Sequence, residues 1–121
     1  AVLFHCAGGK DRTGLVAALV LRALGARPEA ILADFLKTNE TLASPERLEM
    51  LAARLNRGRD TKVSQQALFA ISGVKEAWLG IMFERIAARF GSVEAYWRDA
   101  LGLTDVDLAA LRERYLEPAG D

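Results

Sequence analysis

Apolar residues recur at helical spacing along almost the whole chain. Thr13 to Leu24 is apolar around most of its circumference and stops at Gly25, with Pro28 shortly beyond, which predicts a central helix. From Glu29 to about Leu42, Ile31, Leu32, Phe35 and Leu36 share one side, while Asp34, Lys37 and Glu40 lie elsewhere. Ser44-Pro45 then offers an N-cap and a proline for the first helical position, ahead of Leu48, Leu51, Ala52 and Leu55 in a helix ending near Asn56. Gln65 to Ile71 reads as a short helix. After Gly73 a long one runs to about Phe90, with Val74, Trp78, Ile81 and Met82 expected on one face and Gly91 ending it. Ser92 caps a short helix through Trp97, and Thr104 caps a last one whose inner stripe is expected to be Leu108, Leu111 and Tyr115.

Two stretches break this pattern. Asn56 to Lys62 is the most polar run and predicts a mobile loop, because it has nothing to bury. Val2-Leu3-Phe4 is a short continuous apolar run ahead of glycines, the pattern of a strand covered on both faces in a parallel sheet flanked by helices. One strand cannot make a sheet. The expectation is therefore an α/β fold in which residues 1–121 form the C-terminal portion of a single domain, mostly helical with one strand. Further strands are expected upstream or from another chain. There is no initial Met and no leader pattern, and the compartment, cytoplasmic or secreted, stays open.

Composition narrows the function classes. Hydrophobic residues make up 51% of the 121, enough for a core. Sixteen basic residues balance sixteen acidic ones, so no global field favours nucleic acid or an anionic membrane. The longest apolar stretch, Leu15 to Leu24, is interrupted by Arg22 and falls short of the ~20 residues of a membrane span. A single cysteine excludes an internal disulfide and a cysteine-based zinc site. It also leaves oxidised Cys6 without an internal resolving thiol, so sulfenamide, mixed disulfide or over-oxidation would follow.

That cysteine lies in His5-Cys6-Ala7-Gly8-Gly9-Lys10-Asp11-Arg12-Thr13-Gly14, where the apolar run gives way to the central helix. Six consecutive backbone N–H groups, from Ala7 to Arg12, separate the thiol from the end of the turn. If the loop curls, they face a common centre. Gly8 and Gly9 permit positive φ and close approach of a ligand, and the following helix adds its positive end. The result is a cradle for a tetrahedral dianion, onto which Arg12 can fork two more donors. The same field can lower the thiol from about 8.5 into the range of roughly 3.5–7.5, giving a thiolate placed for in-line attack on phosphorus with no metal or other cofactor. Thr13 is near enough in sequence to hydrogen-bond the sulfur, and His5 is expected to steady the loop through its ring nitrogens.

These ten residues resemble the HCx5R-[S/T] signature of the cysteine-based protein tyrosine phosphatase superfamily. More narrowly they are similar to the HCxxGKDRTG loop of bacterial tyrosine phosphatases of the mycobacterial B type, and they also look like the HCxxGKxRTG loop of phosphoinositide 3-phosphatases. A weaker similarity continues through Ile31 to Glu40 and from Phe90 to Leu116. The resemblance implies the C-terminal part of a tyrosine-phosphatase-like domain. It implies Cys6 as nucleophile, Arg12 as phosphate binder and transition-state clamp, Thr13 as thiolate partner, and Lys10 and Asp11 as substrate-facing groups. Substrates would be phosphotyrosine proteins, with dual specificity or phosphoinositides as extensions, and inorganic phosphate or vanadate would be ligands. Ser44 to Ser72 would fall where helices cover the pocket. Ala7 stands where the phosphoinositide 3-phosphatases carry a second lysine, which weakens a dedicated lipid reading.

Asp11 needs its own explanation, because a carboxylate about 5 Å from a bound phosphate charge costs roughly 3 kcal/mol per unit charge at an effective dielectric near 20. Either its side chain turns to solvent or to a cation, or it is protonated when substrate is present and gives that proton to the leaving oxygen. The resemblance favours the second.

Other readings are weighed on the same residues. A nucleotide P-loop would need a glycine where Phe4 stands and Ser or Thr where Asp11 stands, so it is rejected. Arg54, Arg57, Arg59 and Lys62 read as a solvated face, and Trp78 and Trp97 as core. Asn39 and Lys37 enter as pocket residues through the resemblance alone. The alternatives to an enzyme are a non-catalytic phosphate-recognition module and an inactive fragment.

Overall fold

A computed structural model describes residues 2–117, which form seven α-helices. These are α1 (Asp11–Ala23), α2 (Pro28–Leu42), α3 (Pro45–Leu55), α4 (Gln65–Ser72), α5 (Glu76–Phe90), α6 (Val93–Leu101) and α7 (Asp105–Tyr115). Local chemistry sets most boundaries. Arg47, Ala67 and Ala95 donate their backbone N–H groups to the hydroxyls of Ser44, Ser64 and Ser92, starting α3, α4 and α6. Thr104 and Asp107 form a reciprocal capping box on α7. At the other ends, Gly25, Gly91 and Gly102 take positive φ after α1, α5 and α6, a backbone conformation strained for any residue with a Cβ. Asn56 accepts the Val63 N–H at 2.8 Å through its side chain, so the polar stretch after α3 is a closed turn.

α1 and α2 pack as an antiparallel pair joined by the turn at Gly25, and α5 lies against α2. Their shared core is Ala18, Ile31, Phe35, Val74 and Leu79. α6 packs on α5, with Trp97 buried, and α4 packs on α3. α7 reaches the end of α1, where Arg112 Nε donates to the Ala23 carbonyl at 2.8 Å and satisfies an end-of-helix acceptor.

The structure differs from the expected pattern at several points. Among the described residues there is no strand: Val2-Leu3-Phe4 pairs with nothing, and Val2 and Leu3 are 86% and 90% exposed. A strand exists only by pairing, so an apolar run alone does not make one. In α5 the inward phase is Leu79, Met82, Phe83 and Ile86; Ile81 is 51% exposed, because Val74 lies before the helix and does not share its periodicity. Trp78, expected as core, is half-buried against it. In α7, Leu108 and Leu111 are half-buried, while Tyr115, four positions beyond Leu111 at the end of the helix, is 58% exposed.

Candidate active site

Residues 5–10 curl between the extended Val2–Phe4 segment and α1, which begins at Asp11, two positions before the expected start at Thr13. Asp11 and Arg12 therefore occupy the first turn of a helix. Lys10, at the N-cap, gives no side-chain cap, and its carbonyl accepts the Gly14 N–H at 2.8 Å. The amides of the first turn are thereby left to serve an anion. Gly9 has φ +64°, a conformation that makes glycine the natural occupant.

The loop converges on Cys6. The neighbouring Thr13 hydroxyl is the largest cause of a thiol pKa lowered from 9.0 to about 6; the Thr13 N–H is the next. Partial burial opposes them, and the Gly8 and Gly9 amides add to the lowering. The Thr13 hydroxyl is buried and has no hydrogen-bond partner among the described residues. With its pKa at about 6, Cys6 is mostly ionised at neutral pH.

Arg12 is exposed, and its side chain makes no hydrogen bond or ion pair among the described residues. His5 is exposed too, and its one polar contact, Nδ1 to the Cys6 carbonyl at 3.5 Å, is long for a hydrogen bond. Ala7 is exposed, and Gly8 lines a cavity of about 350 Å³ beside the loop. That cavity is walled by the end of α2 through Leu42, by α3 through Arg47, Met50, Leu51 and Arg54, and by α4 through Ile71, with Lys10 also lining it. Helices α3 and α4 thus stand beside the loop.

Lys10 departs from the expectation that it faces a substrate. Its side chain is only 12% exposed, and Nζ donates to Asp11 Oδ1 at 2.9 Å and to the Gly73 carbonyl at 3.1 Å. The ammonium also lies 5.4 Å from the centre of the Trp78 ring. The Asp11 carboxylate accordingly faces a cation across the start of α1. Arg12 is then the loop's one cation not already paired among the described residues.

Residues 1–117 match the sequence profile of the tyrosine phosphatase family. The chain belongs to that family. It is 38% identical over 115 residues, 95% of its length, to a Cupriavidus necator protein provisionally named a tyrosine-protein phosphatase. It is 33% identical over 119 residues, 92% of its length, to the triple specificity protein phosphatase PtpB of Mycobacterium tuberculosis. The chain spans about two fifths of these relatives, 39% and 42% of their lengths.

In this tyrosine phosphatase family chain, some residues around the loop were not singled out by their sequence. Gly14 lets α1 approach α2 so closely that a Cβ there would stand 2.8 Å from the Phe35 ring. A glycine inside a helix is the signal that could have pointed to such a contact. Gly73 gives Lys10 its carbonyl, and Trp78 gives it an aromatic face. Asn39, expected at the pocket, instead holds the backbone of Val74. No cluster of His, Cys, Asp or Glu among the described residues could hold a metal, and no described helix is long and apolar enough to cross a membrane.

Proposed function

We propose that this chain carries the reaction centre of a cysteine-dependent phosphatase that hydrolyses phosphomonoesters, phosphotyrosine foremost. The observation that carries the reading is the convergence of Thr13, Gly8 and Gly9 on one sulfur, with a thiol pKa of about 6. A buried structural cysteine would have its ionisation suppressed, not favoured.

The Cys6 thiolate attacks phosphorus in line, forming an S–P bond as the P–O bond to the leaving group breaks. Asp11 delivers a proton to the departing oxygen. Water then attacks the phosphocysteine, giving its proton to the Asp11 carboxylate and releasing inorganic phosphate and the thiolate. Arg12 holds two equatorial oxygens through both steps, and the loop amides hold the rest. The cavity walled by Leu42, Met50, Leu51 and Ile71 is apolar enough for an aromatic ring. Arg47 and Arg54 at its rim suit substrates with additional negative charge, which includes phosphoinositides and the wider specificity named for the mycobacterial relative.

Cys6→Ser tests the reading. Turnover of phosphotyrosine peptide is expected to vanish while vanadate binding largely survives, and ³²P should be trapped on the parent protein but not on the variant. Residual activity above roughly 0.1% of the parent would overturn the assignment, and trapping no label on either would favour a recognition module.

We further assign Val2-Leu3-Phe4 to a strand of a parallel sheet whose other strands lie outside this chain. The support is the exposure of three consecutive apolar side chains together with the share of the relatives that the chain spans. Assaying the chain with and without an upstream extension tests this, and equal activity in both would refute it.

A further inference from the structure

Asn39 lies on the same face of α2 as Ile31 and Phe35, eight and four positions earlier, both of which are buried. A polar side chain on an inward face is costly unless its hydrogen bonds are made. Asn39 makes two, to the same residue: Nδ2 donates to the Val74 carbonyl at 3.1 Å, and Oδ1 accepts the Val74 N–H at 2.8 Å. Its amide therefore stands in for a strand partner to the short non-helical link between α4 and α5. Gly73 and Val74 in that link are both buried. There is no slack around it, since a Cβ on Gly73 would come 2.7 Å from Phe69 and 2.9 Å from Asn39 Oδ1.

On its other side the link meets the phosphate-binding loop. The Gly73 carbonyl accepts from Lys10 Nζ at 3.1 Å, and the same ammonium holds Asp11 at 2.9 Å. A continuous chain of hydrogen bonds thus runs from α2 through Asn39, Val74, Gly73 and Lys10 to Asp11, joining segments far apart in sequence. The lysine is flexible on its own. Without a fixed acceptor opposite Asp11, its charge would be free to turn into the anion cradle.

We infer that Asn39 is a positioning residue of the phosphate-binding loop. By fixing the Gly73-Val74 link it holds the Lys10 ammonium out of the cradle and against Asp11. The inference rests on the proposed phosphatase reading, in which Asp11 moves the proton. It adds a residue on a different helix, which touches neither the substrate site nor the loop directly.

A double-mutant cycle tests it. Asn39→Ala is expected to lower kcat for phosphotyrosine peptide by about tenfold or more with KM nearly unchanged, because the amides and Arg12 that bind phosphate stay in place. In a Lys10→Met background the same substitution should cost less than about twofold, since its route of action is already gone. Asn39→Asp keeps the acceptor for the Val74 N–H and should recover part of the loss; it also serves if Asn39→Ala fails to fold. A loss of equal size in both backgrounds would overturn the inference, as would Asn39→Ala leaving kcat unaltered. The rate of Cys6 alkylation by iodoacetamide at pH 6 reads the loop without turnover. If no variant or parent turns over substrate, the phosphatase reading fails. Asn39→Ala altering alkylation beyond about twofold only when Lys10 is present would then still uphold the positioning role, and equal effects in both backgrounds would end it.

Discussion

The ring of Phe35 lies against the backbone of α1 at Gly14, so near that a methyl group there would sit 2.8 Å from it. Two effects compete if alanine is introduced. Helix propensity favours alanine over glycine by about 1 kcal/mol, whereas forcing a carbon into a packed contact costs about 1–3 kcal/mol. Phe35 is buried among core residues and cannot swing aside cheaply. Gly14→Ala is therefore expected to lower the melting temperature by roughly 5 °C. A rise on thermal denaturation would show that propensity wins and that the ring yields.

The Cys6 thiol titrates near pH 6, and Thr13 is the first cause. Iodoacetamide alkylation of Cys6 should rise through a midpoint at about that pH. Removing the hydroxyl in Thr13→Ala should move the midpoint up by about one pH unit, the size of one hydrogen bond to a charged acceptor. The sign for stability follows. A thiol whose pKa is depressed on folding contributes stability that is complete above its ordinary value of 9.0 and is lost as pH falls through about 6. Stability of the parent should thus decline over that window more than stability of Thr13→Ala. A midpoint in the variant equal to the parent's would remove Thr13 from its role.

Arg12 is expected to act through the geometry of its fork as well as its charge. Arg12→Lys keeps the charge but not the two parallel donors, and kcat should fall at least about a hundredfold. Isothermal titration with vanadate should show weaker binding in step. A lysine variant with nearly full activity would mean that a point charge suffices.

Arg47 and Arg54 rim the cavity beside the loop. Exposed charges contribute little singly, so Arg47→Ala with Arg54→Ala should raise KM for a peptide with acidic residues or a second phosphate by about three- to tenfold. KM for p-nitrophenyl phosphate, which does not reach the rim, should hardly move. Equal changes for both substrates would place the arginines in folding rather than in recognition.

What could be known from the order of residues was local. Ser44, Ser92 and Thr104 start helices and Gly25 and Gly91 end them because a cap acts over three or four positions of one chain. The shape of the Cys6–Arg12 loop was legible for the same reason: the cysteine, the glycines, the arginine and the helix start are consecutive, so they lie together without any distant partner. Contacts between remote segments decided the rest. Lys10 turns inward because a carbonyl 63 positions later accepts it. Asn39 serves a link 35 positions away. The inward phase of α5 follows from how that helix packs on α2, and Val2-Leu3-Phe4 has no ladder because no described residue pairs with it. Periodicity shows which positions are apolar, but only packing decides which neighbour covers them.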